Sequence, residues 1–181
     1  IQGIEFYKNG NKDGLLHRKI GPYDVSDLRF VAAFDIDSNK VGMDLSKAIF
    51  AFPNKAPKFR NVGMLGIKVD MGPAPDVIGE ETMSEIRLSD KTPVDVCKVL
   101  SDTKTDVFVN LISGGSDKAS KMYAEACLKA ECAYLNATPA EIVNDPILVN
   151  MFKEKNLPVV GDDLMSQIGA TAIHIGLLEF L

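Results

Sequence analysis

The feature that most restricts the fold of this chain is five continuous apolar runs, each followed by a segment with helical spacing. The runs are RFVAAFDID (29–37), GIKVDMGPAPD (66–76), TDVFVNLISGGS (105–116), CAYLNATP (132–139) and LPVVGDD (157–163). Hydrophobicity that continues through successive residues, instead of alternating, suits strands buried on both faces, as in a parallel sheet. The helical segments are DLSKAIFAF (44–52), with Asp44 as its N-cap, TPVDVCKVLSDTK (92–104), DKASKMYAEACLKA (117–130), PILVNMFKEKN (146–156) and GATAIHIGLLEFL (169–181). Repeated strand–helix alternation predicts an α/β fold, a parallel sheet with helices on both faces.

The 181 residues, 46% of them hydrophobic, are enough to bury a real core and are read most simply as one globular domain. No apolar run reaches membrane-spanning length. A formal charge of -5 argues against broad nucleic-acid binding, which needs a basic face, but leaves room for a local anion site. The three cysteines, Cys97, Cys127 and Cys132, are odd in number and form no C-x-x-C pair. That usage fits packed thiols in a reducing cytoplasm better than a disulfide scaffold. The opening IQGIEFYKNG places Ile1, Ile4 and Phe6 on one helical face with Gly10 as a stop, so the fold is read as entered midway.

In parallel α/β sheets ligands collect at the carboxyl ends of the strands. Those ends here are FDID, MGPAPD, ISGGS, NATP and GDD, all small or acidic. Asp35 closes its run where a dinucleotide-binding fold places the acid that accepts the adenosine ribose hydroxyls; the alternative is a solvated strand-end carboxylate. No G-x-G-x-x-G occurs in the chain. The expectation is a doubly wound, Rossmann-like sheet whose first strand and Gly-rich loop lie just before Ile1. In GDD, Asp162 and Asp163 repel unless a cation or a proton lies between them, so a raised pKa or a bound ion is expected. After them, Ser166, Gln167 and the amides of the next helix start form a phosphate cradle, with a self-capped helix as the alternative.

FVAAFDIDSNKVGMDLSKAIFAF, GIKVDMGPAPDVIG, SDKTPVDVCKVL and above all LPVVGDDLMSQIGAT resemble the myo-inositol-1-phosphate synthase (inositol-3-phosphate synthase) family, in its prokaryotic branch. IQGIEFYKNG and GLLHRKIGPYDVSDLRFVAAFD resemble the segment that follows this family's Gly-rich NAD loop. The resemblance covers essentially the whole chain, and its GDD-x-x-SQ-x-GAT element is highly specific. It implies a cytoplasmic, NAD-dependent isomerase of inositol and phospholipid biosynthesis that converts glucose 6-phosphate to inositol 1(3)-phosphate. The route is oxidation at C5, aldol-type ring closure and reduction of the inosose. It also implies a homo-oligomer, a tetramer, and a second domain that carries the catalytic lysines and the subunit interface. On that reading the chain is a partial NAD-binding domain that does not turn over alone.

By position in the matching motifs, the resemblance assigns Asp35 and Ile36 to the adenosine end, with Asp44 either nearby or a helix cap. It sets Ser113 and Gly114 close to the cofactor, Tyr123 in the core or at the site, and Asn136 and Thr138 at the nicotinamide side. Asp163 becomes the proton relay or metal contact, and Asp162 a cofactor contact or a structural group. Ser166 and Gln167 take the substrate phosphate, Ser166 also approaching the cofactor. A divalent or monovalent cation is a further expectation, its identity open. Departures from the family pattern are Met165 for Lys, SGGS for PVGS and DVIG for DGIG. His174 is read as packed or capping, and Asp35 favours NAD over NADP. The rival readings are a simple NAD-binding dehydrogenase and a non-catalytic NAD-binding module.

Overall fold

The protein is described here by a computed structural model, which covers the chain except residues 9, 11, 12, 16, 18, 53, 55, 77–85 and 164–169; the side chains of 170–172 are also outside the description. The backbone divides into two compact units, Ile1–Thr103 and Lys104–Leu181. Among the described residues the strand ladders are parallel, as the alternation predicts, and they fall into two sheets; isolated bridges such as Asp44 with Lys68 are antiparallel.

In the first unit, helix α1 (Gln2–Tyr7) is tied down by the Gln2 amide. Its Nε2 donates to Pro57 O at 3.1 Å, and its Oε1 accepts from Phe59 N at 2.9 Å and Arg60 N at 3.1 Å. A 3-10 turn at Val25–Asp27, which the run of strands and helices leaves out, is held by a reciprocal cap between Asp24 and Asp27. Strand β1 (Ala33–Asp35) pairs with β2 (Val69–Met71), Asp35 lying opposite Met71. Helix α2 (Leu45–Ala48) begins at the expected cap. Asp44 accepts from the Ser46 N–H at 2.9 Å and the Ser46 hydroxyl at 2.5 Å, and also from Leu65 N at 3.2 Å and Gly66 N at 2.7 Å. These donors, the Ser46 hydroxyl foremost, hold the Asp44 carboxyl down to about 2. One side chain thus caps a helix and anchors the turn that leads into β2. Helix α3 (Val96–Asp102) starts on Asp95, which accepts from Lys98 N, and buries Val96 and Leu100.

In the second unit, β3 (Val107–Asn110), β4 (Ala133–Asn136) and β5 (Val159–Val160) form a sheet in that order. Helix α4 (Asp117–Ala130), which occupies the span expected from its spacing, covers one face. Tyr123 of α4 stacks on Phe108 at 4.9 Å between ring centroids, and Phe108 stacks on Tyr134 at 5.7 Å. Helix α5 (Pro146–Glu154) joins this core through Phe152, 6.4 Å from Tyr134. Pro146 stands at its first turn, where no amide proton is needed, and Asp145 caps Ile147 N and Leu148 N at 2.9 and 3.3 Å. The Leu148 N–H bond is the main cause of the lowered Asp145 pKa. Helix α6 (Ala170–Phe180) follows; His174 on it is exposed, not packed. Among the described residues no helix is long and apolar enough to cross a membrane.

Candidate active site

The register of the second sheet sets Asn110 and Asn136 side by side at the carboxyl ends of β3 and β4. Both are 1% exposed, so each polar atom needs a partner inside the protein. Asn110 Nδ2 donates to Ser120 Oγ and to Asn136 Oδ1, each at 3.0 Å. Asn136 Oδ1 also accepts from the Thr138 hydroxyl at 3.2 Å. That leaves Asn136 Nδ2 facing three acceptors: Thr138 O at 3.1 Å, Ala140 O at 2.7 Å and Asp162 Oδ1 at 2.7 Å. Turning the amide over would oppose two donors at Asn110 and an oxygen to three acceptors, so the network itself dictates the orientation. Thr138, 2% exposed, is likewise used within the loop, accepting from Ala140 N at 3.2 Å. The side chains of Asn136 and Thr138 therefore shape the NATP loop; neither projects from it.

Beyond β5 the two carboxylates of GDD are treated differently. Asp162 is half-buried, and its oxygens accept from the backbone amides of Ile142, Val143 and Asn144 at 3.1–3.4 Å, in addition to Asn136 Nδ2. Four N–H donors thus converge on this one carboxylate. Asp163 is exposed, its backbone sits in the left-handed region at φ 64, and its amide donates to Thr138 O at 2.9 Å. Positive φ is uncommon for a non-glycine residue, and although Asp tolerates it better than most, such positions collect at functional sites. The Gly161–Asp162 peptide is cis.

Gly161 lies where there is no room for a side chain: a Cβ would stand 2.9 Å from Asn136 Cβ, 3.2 Å from Asn136 O and 3.2 Å from Val143 Cγ2. Because the obstacle includes backbone of the bonded loop, Gly161→Ala is expected to destabilise the protein by about 1–3 kcal/mol. A urea unfolding curve reads this directly, and an unchanged midpoint would show that the contact gives way freely.

The loop after β3 carries Ser113 and Gly114, both exposed, and Gly115 at φ 83. A Cβ on Gly114 would touch Pro139 Cγ at 3.4 Å, so the loops after β3 and β4 run close together. Tyr123, weighed as a cofactor contact, is 3% exposed with its ring stacked on Phe108, and its place is the core. Ser166, Gln167 and Met165 lie outside the described residues, as do Val77, Ile78 and Gly79 of DVIG.

In the first unit, Asp35 ends β1 as expected. Its Oδ1 accepts from Ile36 N at 2.7 Å and Asp37 N at 2.9 Å, and its Oδ2 lies 3.5 Å from the Lys40 ammonium. Ile36, half-buried, continues the turn, its carbonyl accepting from Ser89 N at 2.8 Å. Asp37 is fully buried, with one oxygen bonded to Asn39 N at 2.9 Å and the other without a hydrogen-bond partner. Asp35 and Lys40 line a crevice of about 140 Å³ whose walls include Phe34, Leu45, Ile49 and Val69. Asp44 is committed to α2 and the 65–66 turn, which makes it the helix cap of the two readings. Among the described residues no group of three or more His, Cys, Asp or Glu is placed to hold a metal ion.

Sequence reasoning passed over Asn110, Ser120 and Lys40. The first had a signal: a polar residue ending an otherwise apolar strand, in the same place as Asn136.

Proteins similar to this chain decide its family. Relatives in Mycolicibacterium smegmatis, Mycobacterium tuberculosis and Corynebacterium glutamicum, each named inositol-3-phosphate synthase, are 44% identical over 178 residues, or 96% of this chain. The chain belongs to the inositol-3-phosphate synthase family. It spans about half the length of these relatives, 49%, 48% and 49% of them respectively. The crystal structure of Ari2 matches at a TM-score of 0.81 and 32% identity, covering 99% of this chain and 54% of that one. No protein-family model matches.

Proposed function

We propose that this chain is the NAD-binding portion of an inositol-3-phosphate synthase, and that a protein of the relatives' full span isomerises glucose 6-phosphate to inositol phosphate as a homo-oligomer. The observation that carries the reading is the division of labour in GDD. Asp162 is filled by four donors, while its neighbour Asp163 is exposed at φ 64 with its amide bonded to Thr138 O in the loop after β4. A carboxylate presented in that way, at the ends of parallel strands, suits proton transfer at a substrate hydroxyl.

The residues present also suit a dinucleotide. In the first unit Asp35 lines an apolar-walled crevice and offers the carboxylate that a ribose diol requires; in the second, Ser113 and Gly114 are small, exposed residues of the loop after β3. Bound NAD would supply hydride acceptance from the sugar and its return after cyclisation, so the net reaction is an isomerisation. The chain's own part is to hold the adenosine end at Asp35, to keep the strand-end loops rigid through Asn110, Asn136 and Asp162, and to accept and return a proton at the Asp163 carboxylate. Ser166 and Gln167 are proposed for the substrate phosphate.

The test is turnover by the full-length protein with NAD and glucose 6-phosphate, followed by phosphorus NMR. Inositol phosphate, formed without net NADH, is the expected product. Accumulation of an oxidised sugar phosphate with one NADH each would make the protein a dehydrogenase. NAD binding without any turnover would make it a binding module.

A further inference from the structure

The Asp35 carboxylate is not a lone acid. Its Oδ1 is occupied by the amides of its own turn, and its Oδ2, the oxygen left for a ligand, faces Lys40 Nζ at 3.5 Å. Lys40 is not a waving surface chain either: its side chain is 21% exposed, against 31% for Asp35. The backbone that carries it is pinned, since Lys40 N and Val41 N both donate to Asp37 O at 2.9 Å, and Ser38 N donates to Arg87 O at 2.7 Å. Asp35 and Lys40 line the same crevice.

An acid at this point of a dinucleotide fold selects against a 2′-phosphate because like charges meet, and a nearby cation is what accommodates that phosphate. With both charges present and partly shielded from water, the field at the ribose 2′ position is that of an ion pair, not of a carboxylate. The ammonium carries three donor protons and meets Asp35 as an ion pair at 3.5 Å, so donors remain for an oxygen on the ligand. We propose that Lys40 is a specificity-determining residue, which relieves the charge of Asp35 and lets the adenosine end accept a 2′-phosphorylated dinucleotide alongside NAD. This rests on the proposed NAD reading and sharpens it: the preference for NAD that Asp35 alone would impose is moderated by a residue five positions later.

Calorimetric titration of the full-length protein with NAD and with NADP, without sugar phosphate, tests the idea. Wild type should bind both, NADP measurably at millimolar concentration. Lys40→Met should weaken NADP about tenfold or more, the loss of one charge-assisted hydrogen bond, and change NAD by less than about threefold. Lys40→Arg, which keeps the charge, should retain most of the NADP affinity, and it guards against a folding defect in the methionine variant. Equal shifts for the two ligands, no shift, or a wild type that takes NAD and refuses NADP would each overturn the role of Lys40 while leaving the NAD reading standing. A wild type that binds neither dinucleotide would overturn both.

Discussion

Asp162→Ala is expected to cost about 2–4 kcal/mol of folding stability, more than any other single change at the strand ends. The carboxylate gathers amides that belong to three consecutive residues, Ile142, Val143 and Asn144, together with the Asn136 side chain, and so docks the end of β5 onto the loop that leads to α5. Removing it leaves four donors at once without an acceptor. A buried donor left unpaired costs about 1–3 kcal/mol, but the Asn144 amide is exposed and water can replace its bond, so the four penalties do not sum in full. Asp162→Asn should fall between wild type and alanine, because it keeps one oxygen and turns an NH₂ toward donors. Urea unfolding of the three proteins reads the series. A loss below about 1 kcal/mol for the alanine variant would mean that the loop holds without its acceptor.

How much of this was legible beforehand depends on how far apart in sequence the causes lie. The helix starts are legible because their signals are local, although α2 and α3 are shorter than the spans 44–52 and 92–104 that spacing predicts. Asp44, Asp95 and the Asp145–Pro146 pair each bond or shape the first turn that follows them, and α4 keeps the limits its spacing predicts. The strands were read as long apolar runs and observed as short ladders: LPVVGDD contributes only Val159–Val160 to β5. A ladder lasts only while a partner's backbone runs beside it, and that length is a property of two distant segments together. The 3-10 turn at Val25–Asp27 was missed although its Asp24–Asp27 cap is local. At the site, the list of polar strand ends was legible and the task of each residue was not. Asn136 reads as a ligand contact until Asn110 and Asp162, each 26 residues away, are seen to use its amide. Likewise, nothing in the letters GDD says which carboxylate meets the amides of 142–144. Tyr123 is the opposite case, where helical spacing alone already pointed to the core.

Asp163→Asn is expected to lower turnover of the full-length protein by about 10²–10⁴-fold, the usual worth of a positioned acid–base group. Asparagine is the informative replacement for a reason particular to this position. The residue sits at φ 64, a conformation that Asn and Asp tolerate far better than other side chains, so the backbone and its bond to Thr138 O are preserved. The capacity to take up a proton is lost. Affinity for NAD and for the sugar phosphate should therefore stay within about threefold of wild type, and the unfolding midpoint should be unchanged, so that the effect falls on kcat and not on KM. Asp162→Asn supplies the contrast: it shifts stability first, and turnover only as far as the loop that presents Asp163 is loosened. Turnover of Asp163→Asn within about tenfold of wild type would remove this carboxylate from the proton path. The exposed half of GDD would then be a strained loop residue whose conformation, and not its charge, is what the fold requires.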